Sequence, residues 1–308
     1  MNLILKVKRK VSNLFQRLFH KLFHRPYGEI LTLHRVVKER SLLAPLRRIE
    51  ITPAFLEQTI LKYKSEGYRC VSLDEVQRQI ESGKRNMQKY VCFTLDDGYA
   101  DNYDYAYPVF KKHNCPFAIY VTTDFPDKKA LLWWYNLQDI LLKNKKLRFN
   151  GVEYDCSDLK KKEQTYKKIK VNFFTSDMER KRKILKQLYK ENDCAVKDDE
   201  FALSWEQISE LAADPLCIIG AHTVSHNSLP VLNDEEVRKE LSDGKKKIEE
   251  KIKKPVKHFA YPYGNWDNRV ARLTMEQYNT AVTTIHDLVR KGDTLDRLNR
   301  NVLLEKPL

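Results

Sequence analysis

The sequence lacks a closely spaced cysteine framework. Its six cysteines are scattered over 308 residues, and no two of them form a Cys-x-x-Cys pair. Several stand inside apolar runs, as Cys92 and Cys217 do, where a free thiol packs as a small hydrophobic group. This distribution argues against a disulfide-stapled secreted module and favours a reducing compartment.

Acidic residues are missing from positions 1–25, which carry seven Lys or Arg residues. Apolar residues recur there with i, i+3, i+4 and i+7 spacing, which predicts an amphipathic helix with one basic face. Charges interrupt every 18-residue window, so a transmembrane span is not expected. A signal peptide also fits poorly, because we find no continuous apolar segment and no small-residue cleavage site. The pattern favours a helix on an anionic membrane surface; the alternative is a helix docked on the protein's own core.

Internal repeats and long flexible linkers are also missing, and the composition is that of a soluble globular protein, with 42% hydrophobic and 32% charged residues. The formal net charge of +14 indicates an anionic partner, such as a membrane surface, nucleic acid or an acidic glycan. Much of the excess charge lies in a Lys-rich stretch at 159–190. Basic charge that is not interleaved with exposed aromatic residues does not indicate nucleic-acid binding, so we expect no nucleic-acid partner.

Short apolar segments rich in β-branched and aromatic residues alternate with segments of helical periodicity. This alternation predicts an α/β fold with a mostly parallel sheet or barrel. The predicted strands are 29–37, 68–73, 90–95, 116–123, 216–220, 256–260, 280–284 and 301–304. Thr52 and Pro53 predict the start of a helix, as an N-cap and a first-turn proline, and Ser204 predicts another N-cap.

The alternation is interrupted between residues 124 and 215. This segment predicts a mainly helical insertion, with a helix to Lys143, a hairpin at 147–156 and the Lys-rich helical stretch. Trp133 and Trp134 stand side by side in an apolar run, where packing in the core is favoured over lining a sugar subsite. Trp266 has the same two interpretations.

The predicted strand 90–95 ends at two adjacent carboxylates, Asp96 and Asp97, followed by Gly98. Ligands and catalytic groups of α/β proteins gather at the carboxyl ends of strands, which favours a site. Asp-Gly pairs are also common in turns, so a polar turn is the competing interpretation. Taken alone, this segment does not decide between them.

Two further segments place polar groups directly after predicted strands. One carries His222 and His226, and the other reads Tyr-Pro-Tyr-Gly at 261–264. The i, i+4 spacing of the histidines predicts that both imidazoles lie on one side of a helical turn and bind one ion. A carboxylate would complete a two-His-one-carboxylate set with open positions for water and substrate.

Together these segments resemble the polysaccharide deacetylases of the NodB-homology type, carbohydrate esterase family 4. Residues 94–98 are similar to that family's Thr-Phe-Asp-Asp-Gly motif, 222–226 to its His-Ser/Thr-x-x-His motif, and 261–264 to its third motif. The resemblance covers roughly residues 27–303, with 124–215 as a variable insertion. It implies a distorted (β/α) barrel with fewer than eight repeats and a divalent metal, most commonly Zn²⁺. It also implies hydrolysis of the N-acetyl group of an amino sugar.

Carried over residue by residue, the resemblance implies that Asp97, His222 and His226 hold the metal and that Asp96 is the general base. It also implies that the backbone N–H of Tyr263 helps to bind the oxyanion of the tetrahedral intermediate, a role for preorganised donors.

The general acid and the partner of the base are less directly implied. Members with a Tyr-Pro-Tyr-Gly motif resemble biofilm-polysaccharide deacetylases, which use a histidine after the first strand; His34 has that placement. His286 is the alternative, in the region of a late histidine motif, and a packed core histidine is the non-catalytic interpretation of His34. The family's third motif carries an arginine where this chain has Ala260, and we expect Arg300 to replace it in orienting Asp96.

The sequence therefore predicts a metal-dependent hydrolase of carbon–nitrogen bonds that acts on an N-acetylated polysaccharide or lipid-linked glycan. We expect a catalytic domain at 26–308 and a cytoplasmic location at the inner membrane face, with residues 1–25 as the tether. One alternative is an amidohydrolase for another small acylated substrate. The other is a non-catalytic, membrane-associated glycan- or metal-binding module. The intact set Asp96, Asp97, His222 and His226 argues against it.

Deletion of residues 1–25 should release the protein from anionic liposomes, because the deletion removes seven positive charges and the apolar face. Cosedimentation of the full chain and the truncated chain measures this release, with neutral phosphatidylcholine liposomes as the control. Equal sedimentation of both chains with anionic liposomes would refute the tether.

Overall fold

The computed structural model describes residues 28–83, 88–176, 178–192, 201–290 and 292–306. The helix predicted over 1–25 lies outside these residues, so its membrane role stays a prediction. Among the described residues, no helix combines the length and the apolar character that crossing a bilayer requires.

The strands of the described residues fall close to the predicted positions. In chain order they are β1 (Gly28–Leu33), β2 (Arg35–Val36), β3 (Glu50–Ile51), β4 (Arg69–Cys70), β5 (Tyr90–Leu95), β6 (Phe117–Val121), β7 (Lys146–Phe149), β8 (Val152–Asp155), β9 (Cys217–Ala221), β10 (His258–Ala260), β11 (Thr280–Val282) and β12 (Asn301–Val302). The main sheet has the order β11-β10-β9-β6-β5-β1-β12, with β4 paired to β5. Its strand pairs are parallel, as the alternation predicts.

The helices flank this sheet or form the insertion. In chain order they are α1 (Ala44–Arg47), α2 (Pro53–Ser65), α3 (Leu73–Ser82), α4 (Tyr107–Lys112), α5 (Trp133–Lys143), α6 (Leu159–Phe174), α7 (Met178–Asn192), α8 (Trp205–Ala213), α9 (Asp234–Ile252) and α10 (Asn268–Met275), with a π-helical turn at Asn102–Ala106. Both predicted N-caps form, since Thr52 accepts a hydrogen bond from the Phe55 amide and Ser204 makes a capping box with Gln207.

The sheet curls until its two edges approach each other. The segment before β12 bridges in parallel to β11 at Leu298 and Val282, and β12 itself pairs with β1. Small and aromatic side chains such as Ala118, Tyr120 and Ala260 fill the inside. This is the distorted (β/α) barrel that the sequence predicts.

The insertion forms a second hydrophobic core beside the barrel. The hairpin of β7 and β8 forms as predicted, whereas the Lys-rich stretch is two helices, α6 and α7, rather than one continuous element. Their apolar faces pack with α5 around Trp133, Leu137 and Phe173. The core also includes Leu43, the N-cap of α1, and Leu46 within α1, so the insertion is fixed to one edge of the barrel opening.

Several predicted strands are shorter than expected, and two of them end early for a visible reason. The first ends at Leu33, because the backbone after His34 leaves the main sheet and pairs with β3 instead. The strand predicted at 68–73 is reduced to Arg69 and Cys70, because Ser72 caps α3 at once. Ending the first strand at Leu33 brings His34 to the rim of the barrel, where the polar segments also lie.

Candidate active site

The predicted site residues other than His286 meet near the carboxyl ends of the parallel strands. In the register of the sheet, Leu33 lies opposite Leu95, so the residues that follow them, His34 and Asp96, leave neighbouring strands at the same level. His222 follows β9, whose last residue lies opposite Phe259 of β10. The parallel order therefore delivers all three polar segments to one rim.

Backbone strain is concentrated at this rim. Among the described residues, eight other than glycine have positive φ, and four belong to the site segments: Asp97 (76°), Thr223 (68°), His226 (59°) and Tyr263 (59°). Left-handed backbone is unfavourable for these residue types and persists only where surrounding contacts hold it. Asp97 and Gly98 do form a turn, so the turn and the site interpretations of this segment are compatible.

The expectation that His222 and His226 share a helical turn is wrong. Residues 222–227 form an irregular loop, in which Thr223 and His226 both have left-handed backbone. The carboxylate of Glu240 on α9 holds this loop by accepting hydrogen bonds from the Val224 amide (2.8 Å) and from the amide and hydroxyl of Ser225. The two imidazoles are therefore close together, as the spacing predicts, but the loop that brings them together is held by α9 and is not a helical turn.

Asp97, His222 and His226 form a group that fits a divalent metal. Their ligand atoms lie within 4.8 Å of one another, and all three side chains are buried. Asp97 Oδ1 lies 3.4 Å from His222 Nε2 and 3.2 Å from His226 Nε2. Tetrahedral Zn²⁺ with bonds of roughly 2.0–2.1 Å places two ligand atoms about 3.3 Å apart. The observed spacings agree with one ion shared by these three side chains.

Hydrogen bonding around the group supports the same assignment. His222 Nδ1 donates to the Ala260 carbonyl oxygen at 2.7 Å, which leaves Nε2 directed toward Asp97 as a ligand atom. Asp97 Oδ1 is buried and receives no hydrogen bond from the described residues. Burial opposes ionisation of Asp97, but its interactions with His226 and His222 outweigh this effect and hold its pKa well below the usual value. The group therefore offers an ionised carboxylate and two imidazole nitrogens, a donor set typical of zinc.

Asp96 lies beside this group and contacts Arg300. Arg300 Nη1 donates to Asp96 Oδ1 and Nη2 to Oδ2, both at 2.7 Å, and the arginine side chain has no exposed surface. Arg300 is itself fixed by the carbonyl oxygen of Thr283 at 2.9 Å and the hydroxyl of Thr94 at 3.0 Å. Burial would raise the pKa of Asp96, but the charge and hydrogen bonds of Arg300 lower it. The expected contact is present, and its catalytic importance stays a prediction.

The two histidines considered as general acid lie in different places. His34 lines the same cavity as Asp96 and Asp97, and its buried Nδ1 has no hydrogen-bond partner among the described residues. His286 is exposed and does not line this cavity. The geometry favours His34, and the roles of both residues stay predictions.

Tyr263 connects the metal-binding group to the insertion. Its ring packs edge-on against the His226 imidazole, with centroids 4.5 Å apart, and against Phe174 of α6 at 5.1 Å. Burial raises the pKa of its phenol, which therefore stays protonated. These contacts hold the Tyr263 side chain at the cavity, where its backbone is left-handed, and the oxyanion role of its N–H stays a prediction.

The site opens into a cavity of about 590 Å³ between the barrel rim and the insertion. Trp133 and Trp134 of α5 are buried in the core of the insertion and also line this cavity. The two positions are therefore not alternatives. The size suits a sugar residue and its neighbours.

Sequence reasoning missed one buried cation near the site. Lys181 on α7 is 2% exposed, lies 3.4 Å from Asn227 Oδ1, and stands over the Tyr263 ring at 5.5 Å. It belongs to the Lys-rich stretch, whose charge pattern predicts a solvated face. The sequence around Lys181 does not distinguish it from the exposed lysines of this stretch, because its burial arises only when the chain folds.

Residues 83–282 match a family model described as Polysaccharide deacetylase. The chain belongs to the polysaccharide deacetylase family. The match spans 200 of the 308 residues and includes Asp96, Asp97, both metal-site histidines and β10. The family expected from the three motifs is thus confirmed, and with it the expected enzyme class, hydrolases acting on carbon–nitrogen bonds.

Known proteins resemble the chain in sequence or in fold. YxkH of Bacillus subtilis, whose name describes it as a polysaccharide deacetylase, is 32% identical over 92 residues. The match covers 30% of this chain and 30% of the length of YxkH. The Streptococcus pyogenes deacetylase PplD, solved in complex with acetate, aligns with a TM-score of 0.59 at 19% identity, over 90% of this chain and 92% of its own. IcaB from Ammonifex degensii aligns with a TM-score of 0.59 at 20% identity, over 90% and 92%. The two structures support the deacetylase fold.

Replacing Arg300 by lysine should lower kcat on the order of 10²-fold with little change in KM, because one ammonium cannot hold both oxygens of Asp96. Steady-state kinetics measure this split. Arg297→Lys is the matched control, since Arg297 is partly exposed and pairs with Asp296. Unchanged turnover in Arg300→Lys and in Arg300→Ala would contradict the positioning role.

Proposed function

We propose that this protein hydrolyses the N-acetyl group of an amino sugar in a polysaccharide or lipid-linked glycan, in a metal-dependent reaction that releases acetate. The observation that carries the proposal is the placement of an arginine-held carboxylate, Asp96, beside the three-residue metal group in one cavity. Membership of the polysaccharide deacetylase family supports the same reaction.

Asp97, His222 and His226 would hold the metal, and Zn²⁺ is the ion that best suits their donor atoms and spacing. A divalent ion bound there would polarise the amide carbonyl of the substrate and make water a better nucleophile near neutral pH. His222 is oriented for this role by its hydrogen bond to Ala260.

Asp96 would accept the proton of the attacking water as the oxygen adds to the carbonyl carbon. Its lowered pKa keeps it ionised near neutral pH, so that it is ready to take the proton. The backbone N–H of Tyr263 would donate to the carbonyl oxygen as negative charge develops there. His34, in its protonated form, would donate a proton to the nitrogen as the carbon–nitrogen bond breaks, which yields acetate and a free amine. The two proton transfers balance over one turnover.

The place of the reaction is also part of the proposal. A tether formed by residues 1–25 would hold the enzyme at the inner face of the membrane, where a lipid-linked precursor of a surface polysaccharide is accessible. The basic, apolar-spaced sequence of those residues supports this location.

The Zn²⁺-loaded protein should release acetate from N-acetylglucosamine oligomers, lose this activity on treatment with a chelator, and regain it when Zn²⁺ is restored. Acetate assay and metal analysis of the same samples measure both quantities. Acetate release that persists in protein stripped of metal would refute metal dependence. Failure of the loaded protein to deacetylate neutral and phosphorylated amino sugars would refute the proposed reaction.

Replacing His34 and His286 one at a time shows which of them is the general acid. His34→Gln should lower kcat by about 10²–10⁴-fold, the usual contribution of a general acid, and remove one limb of the pH–rate profile. His286→Gln is the matched control and should leave kcat unchanged, because His286 is exposed outside the cavity. The reverse result would assign the acid to His286.

A further inference from the structure

The mouth of the active-site cavity carries an excess of positive charge that the deacetylation chemistry does not use. Six basic residues line the cavity: Arg40, Arg47, Arg48, Lys167, Lys170 and Lys306. Apart from the buried pair Asp96 and Asp97, the acidic residue that lines it is Glu305. Arg48, Lys167 and Lys306 are exposed and the other three are partly exposed, so this charge lies where the cavity meets solvent, whereas the metal-binding group is buried.

Glu305 neutralises one of these cations and is otherwise engaged. Its carboxylate accepts hydrogen bonds from the amide of Thr52 at 2.6 Å and from its hydroxyl, and lies 3.8 Å from Arg40 Nη1. Arg40 is further fixed by the carbonyl oxygens of Arg47 and Glu305. Within the described residues, the other five basic side chains have no carboxylate within ion-pair distance. We call these five residues (Arg47, Arg48, Lys167, Lys170 and Lys306) the basic rim.

The basic rim is built from segments far apart in sequence. Arg47 and Arg48 lie at the end of α1, whereas Lys167 and Lys170 are three residues apart on α6 and therefore share one face of that helix. The two helices are joined where the Ala44 amide donates to Glu163 Oε1 at 2.8 Å. This contact fixes the two pairs of cations at one opening.

Phe174 lies between the basic rim and the metal-binding group, because Lys170 Nζ stands 5.7 Å from its ring centroid and the ring packs against Tyr263, which contacts His226. Trp133, Tyr166 and Phe174 line this part of the cavity, and Leu304 lines it beside Lys306. Such surfaces suit the face of a sugar ring. A substrate in the cavity would place its N-acetyl group at the metal-binding group and an adjoining substituent at the basic rim.

We propose that the substrate carries a phosphate ester or diphosphate on or next to the N-acetylated sugar, and that the basic rim binds this group. The inference rests on the proposed function for the placement of the sugar. Several cations without carboxylate partners suit phosphate, because one phosphate group accepts hydrogen bonds from several donors at once and arginine binds it with two. A neutral polysaccharide offers no group that uses this charge.

Direct binding tests the basic rim independently of turnover. Calorimetry with the Zn²⁺-loaded full chain compares N-acetylglucosamine 1-phosphate, N-acetylglucosamine and inorganic phosphate at physiological salt. The double variant Arg47→Gln/Lys170→Gln should weaken binding of the phosphorylated sugar by about tenfold or more and leave binding of the neutral sugar unchanged. The matched control is Lys160→Gln/Lys168→Gln, which removes the same charge from α6 at exposed positions that do not line the cavity.

The outcomes separate this inference from the proposed reaction. Any of three results would overturn the phosphate proposal. They are equal affinity for the phosphorylated and neutral sugars, equal losses of affinity in the rim and control variants, and binding of the phosphorylated sugar that is lost in Asp97→Asn but retained in the rim variant. Selective loss in the rim variant supports it whether or not acetate is released, and acetate release alone tests the reaction. Tighter binding of a prenyl-diphosphate-linked sugar than of the soluble ester would identify a lipid as the source of the phosphate; equal binding would identify a soluble sugar phosphate.

Discussion

The buried ion pair between Arg300 and Asp96 is the interaction on which the site depends most. Both oxygens of Asp96 accept a hydrogen bond from the guanidinium at 2.7 Å, and both side chains are excluded from solvent. Removing one partner of a buried pair leaves an uncompensated charge and typically costs about 3–5 kcal/mol. Arg300 also reaches the carbonyl oxygen of Thr283, just beyond β11, from a position just before β12. The arginine that holds Asp96 therefore also joins the two edges of the curled sheet.

A second constraint is the strained backbone that holds the polar segments. Asp97, His226 and Tyr263 all have left-handed backbone, and each is held by packing or hydrogen bonds from other elements. The sequence places the two carboxylates next to each other, and the backbone separates their functions. Asp97 lies against the imidazoles, whereas Asp96 lies against the guanidinium. The pair is thus divided between metal binding and proton transfer in the account proposed here.

The insertion completes the cavity rather than the metal-binding group. Its helices α5 and α6 contribute Trp133, Phe174 and two cations of the basic rim. The insertion thus forms one wall of the cavity, whereas Arg47, Arg48 and Lys306 reach the same cavity from outside the insertion. Under the proposed function, a substrate would contact both parts of the chain.

Sequence reasoning reached the fold and the membership of the site because both follow from local patterns. The strand–helix alternation predicts the parallel sheet, and each polar segment follows a buried strand. The loop that joins His222 to His226 was predicted wrongly as a helical turn, since its shape is set by Glu240, a contact that spacing does not encode. The contact of Arg300 was expected from the missing arginine at Ala260, whereas the burial of Lys181 and the assembly of the basic rim depend on distant segments packing together.

The division of labour between the two carboxylates is tested most directly by measuring bound zinc and acetate release on the same preparations of Asp96→Asn and Asp97→Asn. The account predicts that Asp96→Asn keeps close to one zinc per chain and loses turnover, whereas Asp97→Asn loses both. Full zinc content with full turnover in Asp97→Asn, or loss of zinc in Asp96→Asn with retention in Asp97→Asn, would contradict it.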